Sequence, residues 1–147
     1  ISYFLEFAPS NAILVVAGNG VTGDDVSFVS GNSRILFLGN LNYQQLLCLY
    51  KRSTTFIHLA YLDHCPNVVV DAQASGCHII CSSTGGTKEI VSNGTVVLED
   101  DWDYSPIPLY KPPKMNFSKC AKISLKNRKS SIELCAEKYY KIMKGIL

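Results

Sequence analysis

The chain has 147 residues, 47% of them apolar and 18% charged, with a formal net charge of +2. That length can bury the core of a single domain, and that composition excludes a disordered chain. So small a net charge gives no argument for nucleic acid or a strongly acidic partner. In chain order, ISYFLEFA reads as the end of a helix stopped near Pro9, and AILVVAG as a strand bounded by GNG. After the polar stretch TGDDVSFVS, RILFLG is a second strand closed by Gly39. NYQQLLCLYKRS carries apolar residues at 43, 46, 47 and 50, which is helical spacing, with Asn42 as its N-cap. TTFIHLA is a third strand, HIICSS a fourth and TVVLED a fifth, with TGGTKEIV between the last two. The segment 102–117 carries four prolines and is expected to be an irregular surface connection. Beyond it an amphipathic helix near 130–146 places Lys138, Lys141 and Lys144 on a solvated face that suits a helix C-terminus. The longest apolar runs are strand-length, far short of a membrane span. The start, ISYFLEFAPS, lacks the basic residues and long apolar stretch of a secretory signal.

Near-continuous apolar strands alternating with helices imply strands covered on both faces, hence an α/β fold with a doubly wound, Rossmann-like parallel sheet. Ligands of such sheets sit beyond the carboxyl ends of the strands, where Gly18, Gly39, Asp63 and Gly85 fall. The stretch 61–76, YLDHCPNVVVDAQASG, is ambiguous, because three valines favour extended backbone. Yet its flanking strands can be parallel only if a crossover joins them. Pro66 at a first turn and Gly76 beyond the end mark that crossover as a helix of about ten residues. Its N-terminus then offers backbone N–H groups and a positive dipole end to an anion on the ligand side.

Asp63 falls in the loop before this helix and Asp71 in its second turn. Either both accept hydrogen bonds from a polyhydroxylated ligand, or Asp63 is a loop acid and Asp71 a surface residue. Gly85 and Gly86 let backbone approach a phosphate closely, with Lys88 adding charge, although a Gly-Gly turn is common. His58 and His78 read as core or sheet-edge residues rather than catalysts, and His64, beside Asp63, is the histidine to watch. Cys48, Cys77, Cys81 and Cys135 all fall in apolar segments and read as reduced, buried thiols, placing the chain in the cytosol. A zinc site built with His64 and His78 is the less favoured reading of the same residues. The sequons at Asn93 and Asn116 then read as ordinary loop residues.

Taken in order, VVAGNG, FLGNL, LLCLYKRS, DHCPNVVVDAQASG and SSTGGTKEIV resemble the C-terminal, donor-binding lobe of retaining glycosyltransferases of the two-Rossmann-lobe (GT-B) type, specifically family 4. The resemblance covers roughly residues 12 to 98. It implies that Asp71 matches the acid holding the ribose hydroxyls, and that Asp63 matches the acid facing the donor sugar near the reacting carbon. It further implies that backbone N–H groups at Cys65, Asn67 and Val68 touch the sugar or diphosphate. Gly39, Asn40 and Leu41 match the loop beside the nucleobase, and Gly18 and Gly20 a glycine turn lining the cleft.

The implied chemistry is sugar transfer from a nucleotide-diphosphate-sugar with retained anomeric configuration, no cofactor and no required metal. The acceptor, whether glycan, lipid or protein, is not specified. Two departures stand out. Both acids are Asp where the family has Glu, shorter by about 1.5 Å of reach. The Arg and Lys that neutralise the leaving diphosphate lie in the family upstream of the VVAG strand, and the chain begins at Ile1, too late to include them. Residues 1–147 are therefore expected to be one lobe of an enzyme whose partner is its own N-terminal acceptor lobe. Such a lobe would not turn over efficiently alone, and would be cytoplasmic or peripheral to a membrane through the missing lobe. The competing readings are a sugar-nucleotide-binding module without catalysis and a sugar-nucleotide epimerase of the same architecture.

Overall fold

In the computed structural model, which describes residues 1–19, 29, 31–99, 114–124 and 132–145, the apolar runs become strands and the periodic stretches helices. In chain order these are α1 (Ser2–Phe7), β1 (Leu14–Ala17), β2 (Ile35–Gly39), α2 (Tyr43–Arg52), β3 (Thr55–His58), α3 (Asn67–Ala74), β4 (His78–Ser82), α4 (Thr87–Ile90), β5 (Asn93–Glu99), β6 (Met115–Ser124) and α5 (Ile132–Met143). β1 and β2 form a parallel pair with Leu14 opposite Ile35. β3, β4 and β5 run parallel in a second sheet, with Thr55 opposite His78 and Ile79 opposite Gly94. Among the described residues no ladder joins the two sheets.

The α/β reading holds, with one correction. β6 closes the second sheet as an antiparallel edge strand on β5, with Asn93 opposite Ser124. Residues 115–117, expected to be irregular, are its first residues, while residues 102–113 lie outside the described residues. The two sequons are likewise corrected, since Asn93 opens β5 and Asn116 lies in β6 rather than in loops.

The helices form for local reasons that position the site. α2 starts in a capping box: the Gln45 amide donates to the Asn42 side chain at 2.9 Å, and the Asn42 amide to the Gln45 side chain at 2.9 Å. α3 is helical despite its valines because only Val69 and Ala72 face inward, both fully buried, while Val68 and Val70 are exposed. It has eight residues rather than ten, with Pro66 at its N-cap. It ends in a Schellman turn: Gly76, at φ +97°, donates to Gln73 O, and Cys77 donates to Ala72 O.

The main core gathers Tyr50, Val69, Ala72, Cys77, Ile79, Cys81, Val91 and Val96 between α2, α3 and the second sheet. A smaller core, Phe4, Val29 and Ile35, lies under α1, where the Arg34 guanidinium sits 4.7 Å over the Phe4 ring. Burial of the thiols follows the sequence for Cys77 and Cys81 only; Cys48 and Cys135 are exposed. Lys138 and Lys141 on α5 and Lys144 in the turn after it are exposed as expected, and Lys141 pairs with Glu137 at 3.0 Å. No helix among the described residues is long and apolar enough to cross a membrane.

Candidate functional site

The carboxyl ends of both parallel sheets point to loops that carry the expected residues. On the first sheet, Gly18 follows β1 directly and donates its N–H to the carbonyl of Gly39, the last residue of β2, at 2.8 Å. Both glycines have positive φ, +123° and +63°, which a side chain would strain. Asn40 and Leu41 follow directly, while Gly20 lies outside the described residues.

On the second sheet the loops after β3 and β4 converge beside the end of β5. The β3–α3 loop carries Asp63, and its backbone is clamped by the β4–α4 turn: the Asp63 carbonyl accepts from Gly86 N at 3.0 Å and from Thr87 Oγ1 at 3.4 Å. The approach is so close that a Cβ on Gly85 would lie 2.6 Å from the Asp63 carbonyl oxygen, and one on Gly86 2.2 Å from that of His64. The two glycines are thus required by contact between loops, independently of any ligand. Fully buried Ser82 ties the same loops, donating to Ala60 O at 2.9 Å and contacting Thr84 O at 3.3 Å. Glu99, ending β5, accepts from the Ser83 hydroxyl and from Thr84 N.

Two features fix Asp63 further. Leu62, immediately before it, is the one non-glycine residue with positive φ among the described residues, at +57°, a conformation that costs a non-glycine residue about 1–2 kcal/mol. The Asp63 Oδ2 lies 3.1 Å from His58 Nε2 at the end of β3. The His58 ring is stacked on Phe56, centroids 6.3 Å apart and planes 16° apart, and Phe56 stands edge-on to Tyr50 at 5.3 Å. Tyr50 is buried, and its hydroxyl pKa is pushed up by that burial first and then by the charge of Asp71. A row of three rings therefore runs from the neighbourhood of one acid to the other. Asp71 itself is half-buried in the second turn of α3, and among the described residues its carboxylate makes no side-chain hydrogen bond.

The N-terminus of α3 has no side-chain cap. Val69 N and Val70 N reach Pro66 O, whereas the N–H groups of Cys65, Asn67 and Val68 have no backbone acceptor among the described residues. Cys65 and His64 are exposed, and His64 contributes its backbone to the contact with Gly86. Lys88 is exposed on α4, and its charge opposes the rise of the Cys81 thiol, which burial pushes up to about 11. His78 Nε2 is 2.9 Å from Thr95 Oγ1, as befits a sheet residue. The alternative zinc site finds no support, since among the described residues no three His, Cys, Asp or Glu side chains gather for a metal.

Asp63, His64, Gly85 and Gly86 are thus brought into contact, and Gly18 meets Gly39 on the other sheet. The sequence reading set His58 aside as a core or sheet-edge residue and passed over Ser82 and Glu99. Polar residues closing apolar strands (His58 after TFI, Ser82 after HIIC) were the available signal.

Comparison with known proteins supplies the rest. An uncharacterized glycosyltransferase of Methanocaldococcus jannaschii is 30% identical over 102 residues, 63% of this chain and 26% of the relative. The chain thus spans about a quarter of that relative's length. No solved structure matches the chain. The family model for glycosyl transferases group 1 matches residues 5–103, a stretch that holds every strand from β1 to β5 and both candidate acids. The chain belongs to the group 1 glycosyl transferases.

Proposed function

We propose that the chain is the donor-binding lobe of a retaining glycosyltransferase of the two-lobe, family 4 type, taking a nucleotide-diphosphate-sugar and completed by an acceptor lobe of the same protein. The observation that carries this reading is the stretch 61–76. It sets one acid in the loop after β3, a second acid in α3, and between them amide groups without a backbone acceptor among the described residues.

In this reading the diphosphate lies at the start of α3, where the N–H groups of Cys65, Asn67 and Val68 and the positive end of the helix dipole meet its charge. Asp71, whose carboxylate makes no side-chain hydrogen bond among the described residues, accepts from the ribose hydroxyls, and Asp63 faces the sugar. Gly39, Asn40 and Leu41 line the nucleobase side and Gly18 the cleft, while Gly85, Gly86 and Lys88 border the phosphates. Stabilising the departing diphosphate in place is the main catalytic contribution such a lobe makes, because that is where charge develops as the sugar bond breaks. No metal is required in this scheme.

Calorimetry with UDP, GDP and dTDP tests the reading. One of them should bind, and Asp71→Ala should weaken it by roughly 1–3 kcal/mol, the value of a hydrogen bond to a charged group. Unchanged affinity in Asp71→Ala would remove the ribose assignment. The shortened acids favour a second reading, a sugar-nucleotide-binding module without turnover, since a 1 Å misplacement can cost about a hundredfold in rate. Labelled-donor product analysis on the full protein separates the two.

A further inference from the structure

We propose that His58 is a positioning residue for Asp63: its imidazole holds Oδ2 and leaves Oδ1 as the single acceptor presented to the donor sugar. The inference rests on the donor-site reading and names a residue that reading does not use. An ionised carboxylate only accepts, so the 3.1 Å contact requires the hydrogen on His58 Nε2. The imidazole is itself held in place. His58 is the last residue of β3, paired in register with Cys81, its side chain is 16% exposed, and its ring lies flat against Phe56. On the other side, the Asp63 backbone is fixed by Gly86 N and Thr87 Oγ1. With backbone and one oxygen both fixed, a side chain of two torsions has no freedom left in where its other oxygen points.

The need for such a restraint follows from the shortness of Asp. An Asp in a loop readily folds its carboxylate back onto the amide two residues on, forming an Asx turn. Here that amide belongs to Cys65, one of the N–H groups without a backbone acceptor among the described residues. By engaging Oδ2, His58 turns the acid away from this local partner and keeps the Cys65 amide available at the helix start. Glu, with an extra methylene, has no equivalent tight turn to avoid.

The test compares affinities for UDP, GDP and dTDP with those for UDP-glucose, GDP-mannose and dTDP-glucose, in the wild-type chain and in H58L, H58Q, D63A and H58L/D63A. The readout is the gain in affinity that the sugar adds to the nucleotide that binds. H58L should keep the nucleoside diphosphate affinity within about twofold and lose on the order of tenfold of the sugar gain, equal to about 1.4 kcal/mol. H58Q, which retains an N–H donor, should recover most of it, and H58L/D63A should be no worse than D63A. If H58L fails to fold, H58F, which keeps the ring on Phe56, carries the same expectation. An equal loss for nucleotide and nucleotide-sugar, or an unchanged sugar gain in H58L, overturns the proposal and leaves the donor site standing. No binding of any probe by the wild-type chain removes the donor-site reading, and this inference with it.

Discussion

Alanine at Gly86 would put a methyl carbon 2.2 Å from the His64 carbonyl oxygen, 3.1 Å from its carbon and 3.3 Å from its Cα. All three are backbone atoms, so no side chain can swing aside. Gly86 sits at φ −87°, ψ −8°, a conformation alanine adopts freely; by backbone preference alone the substitution would stabilise by roughly 0.4–1 kcal/mol. Against this, the loops must part by about 1 Å to reach a normal contact, an overpacking that costs roughly 1–3 kcal/mol. The bond from Gly86 N to Asp63 O is lost with it, at about 1 kcal/mol.

The net expectation is a destabilisation of about 2 kcal/mol, which lowers Tm by roughly 4–8 °C in a domain of this size. Urea denaturation followed by circular dichroism should show a lower midpoint at unchanged slope. Gly76→Ala is the control: nothing lies within 4 Å of its would-be Cβ, but φ is +97°, so it should cost only the conformational strain of about 1–2 kcal/mol. A Gly86→Ala chain as stable as wild type would refute the close packing of the two loops.

Ser82→Ala should destabilise by about 1–2 kcal/mol, because it leaves the Ala60 carbonyl without its buried donor; an unchanged urea midpoint would contradict this. Gln73→Ala removes the bonds to Ile90 O and Ser92 N, and hydrogen exchange should show the Ser92 amide losing protection. In the native chain, alkylation at pH 8 should proceed at Cys48, Cys65, Cys120 and Cys135 and spare Cys77 and Cys81, whose thiols burial pushes up. Rapid modification of Cys81 would show that it is not enclosed. The same shift sets an alkaline limit. A thiol at about 11 when folded and 9.0 as its ordinary value stays protonated longer in the folded state. Its stabilising contribution is therefore full below pH 9 and lost as pH rises from 9 to about 11. Urea midpoints should fall across that window and fall less in Cys81→Ala; a profile equally steep in the variant would exclude Cys81 as the cause.

Much of the fold was legible because the signals were local. The Asn42 cap of α2 and the Pro66 start and Gly76 stop of α3 each act within one turn, and the last two outweighed the strand preference of Val68, Val69 and Val70. β6 was not read because Pro106, Pro108, Pro112 and Pro113 dominate its approach, although Met115, Phe117 and Ile123 already alternate with Asn116, Ser118 and Ser124. Cys48 misled because an apolar neighbourhood in sequence does not say which helix face a residue occupies, and Cys135 because every described side chain of α5 from Leu134 onward is exposed, apolar ones included. In the site, positions of the acids followed from spacing, but their surroundings did not. The meeting of His58 with Asp63 turns on the path of the loop through Leu62, at φ +57°, and that of Gly86 with His64 on how two loops stack; no apolar period or capping signal encodes either.

The clamp on Asp63 also sets an order of events in synthesis. Thr87 is 24 residues beyond the acid it holds, and it can reach that carbonyl only once β4 has paired with β3. At translation rates of about 5–20 residues per second, the acid emerges roughly 1–5 s before its clamp. During that interval Leu62 has nothing to hold its unfavourable torsion, and the loop relaxes toward ordinary backbone angles. Nascent chains that end before Thr87 should therefore contain the acid without its geometry, and binding competence should appear late in elongation, abruptly rather than by degrees.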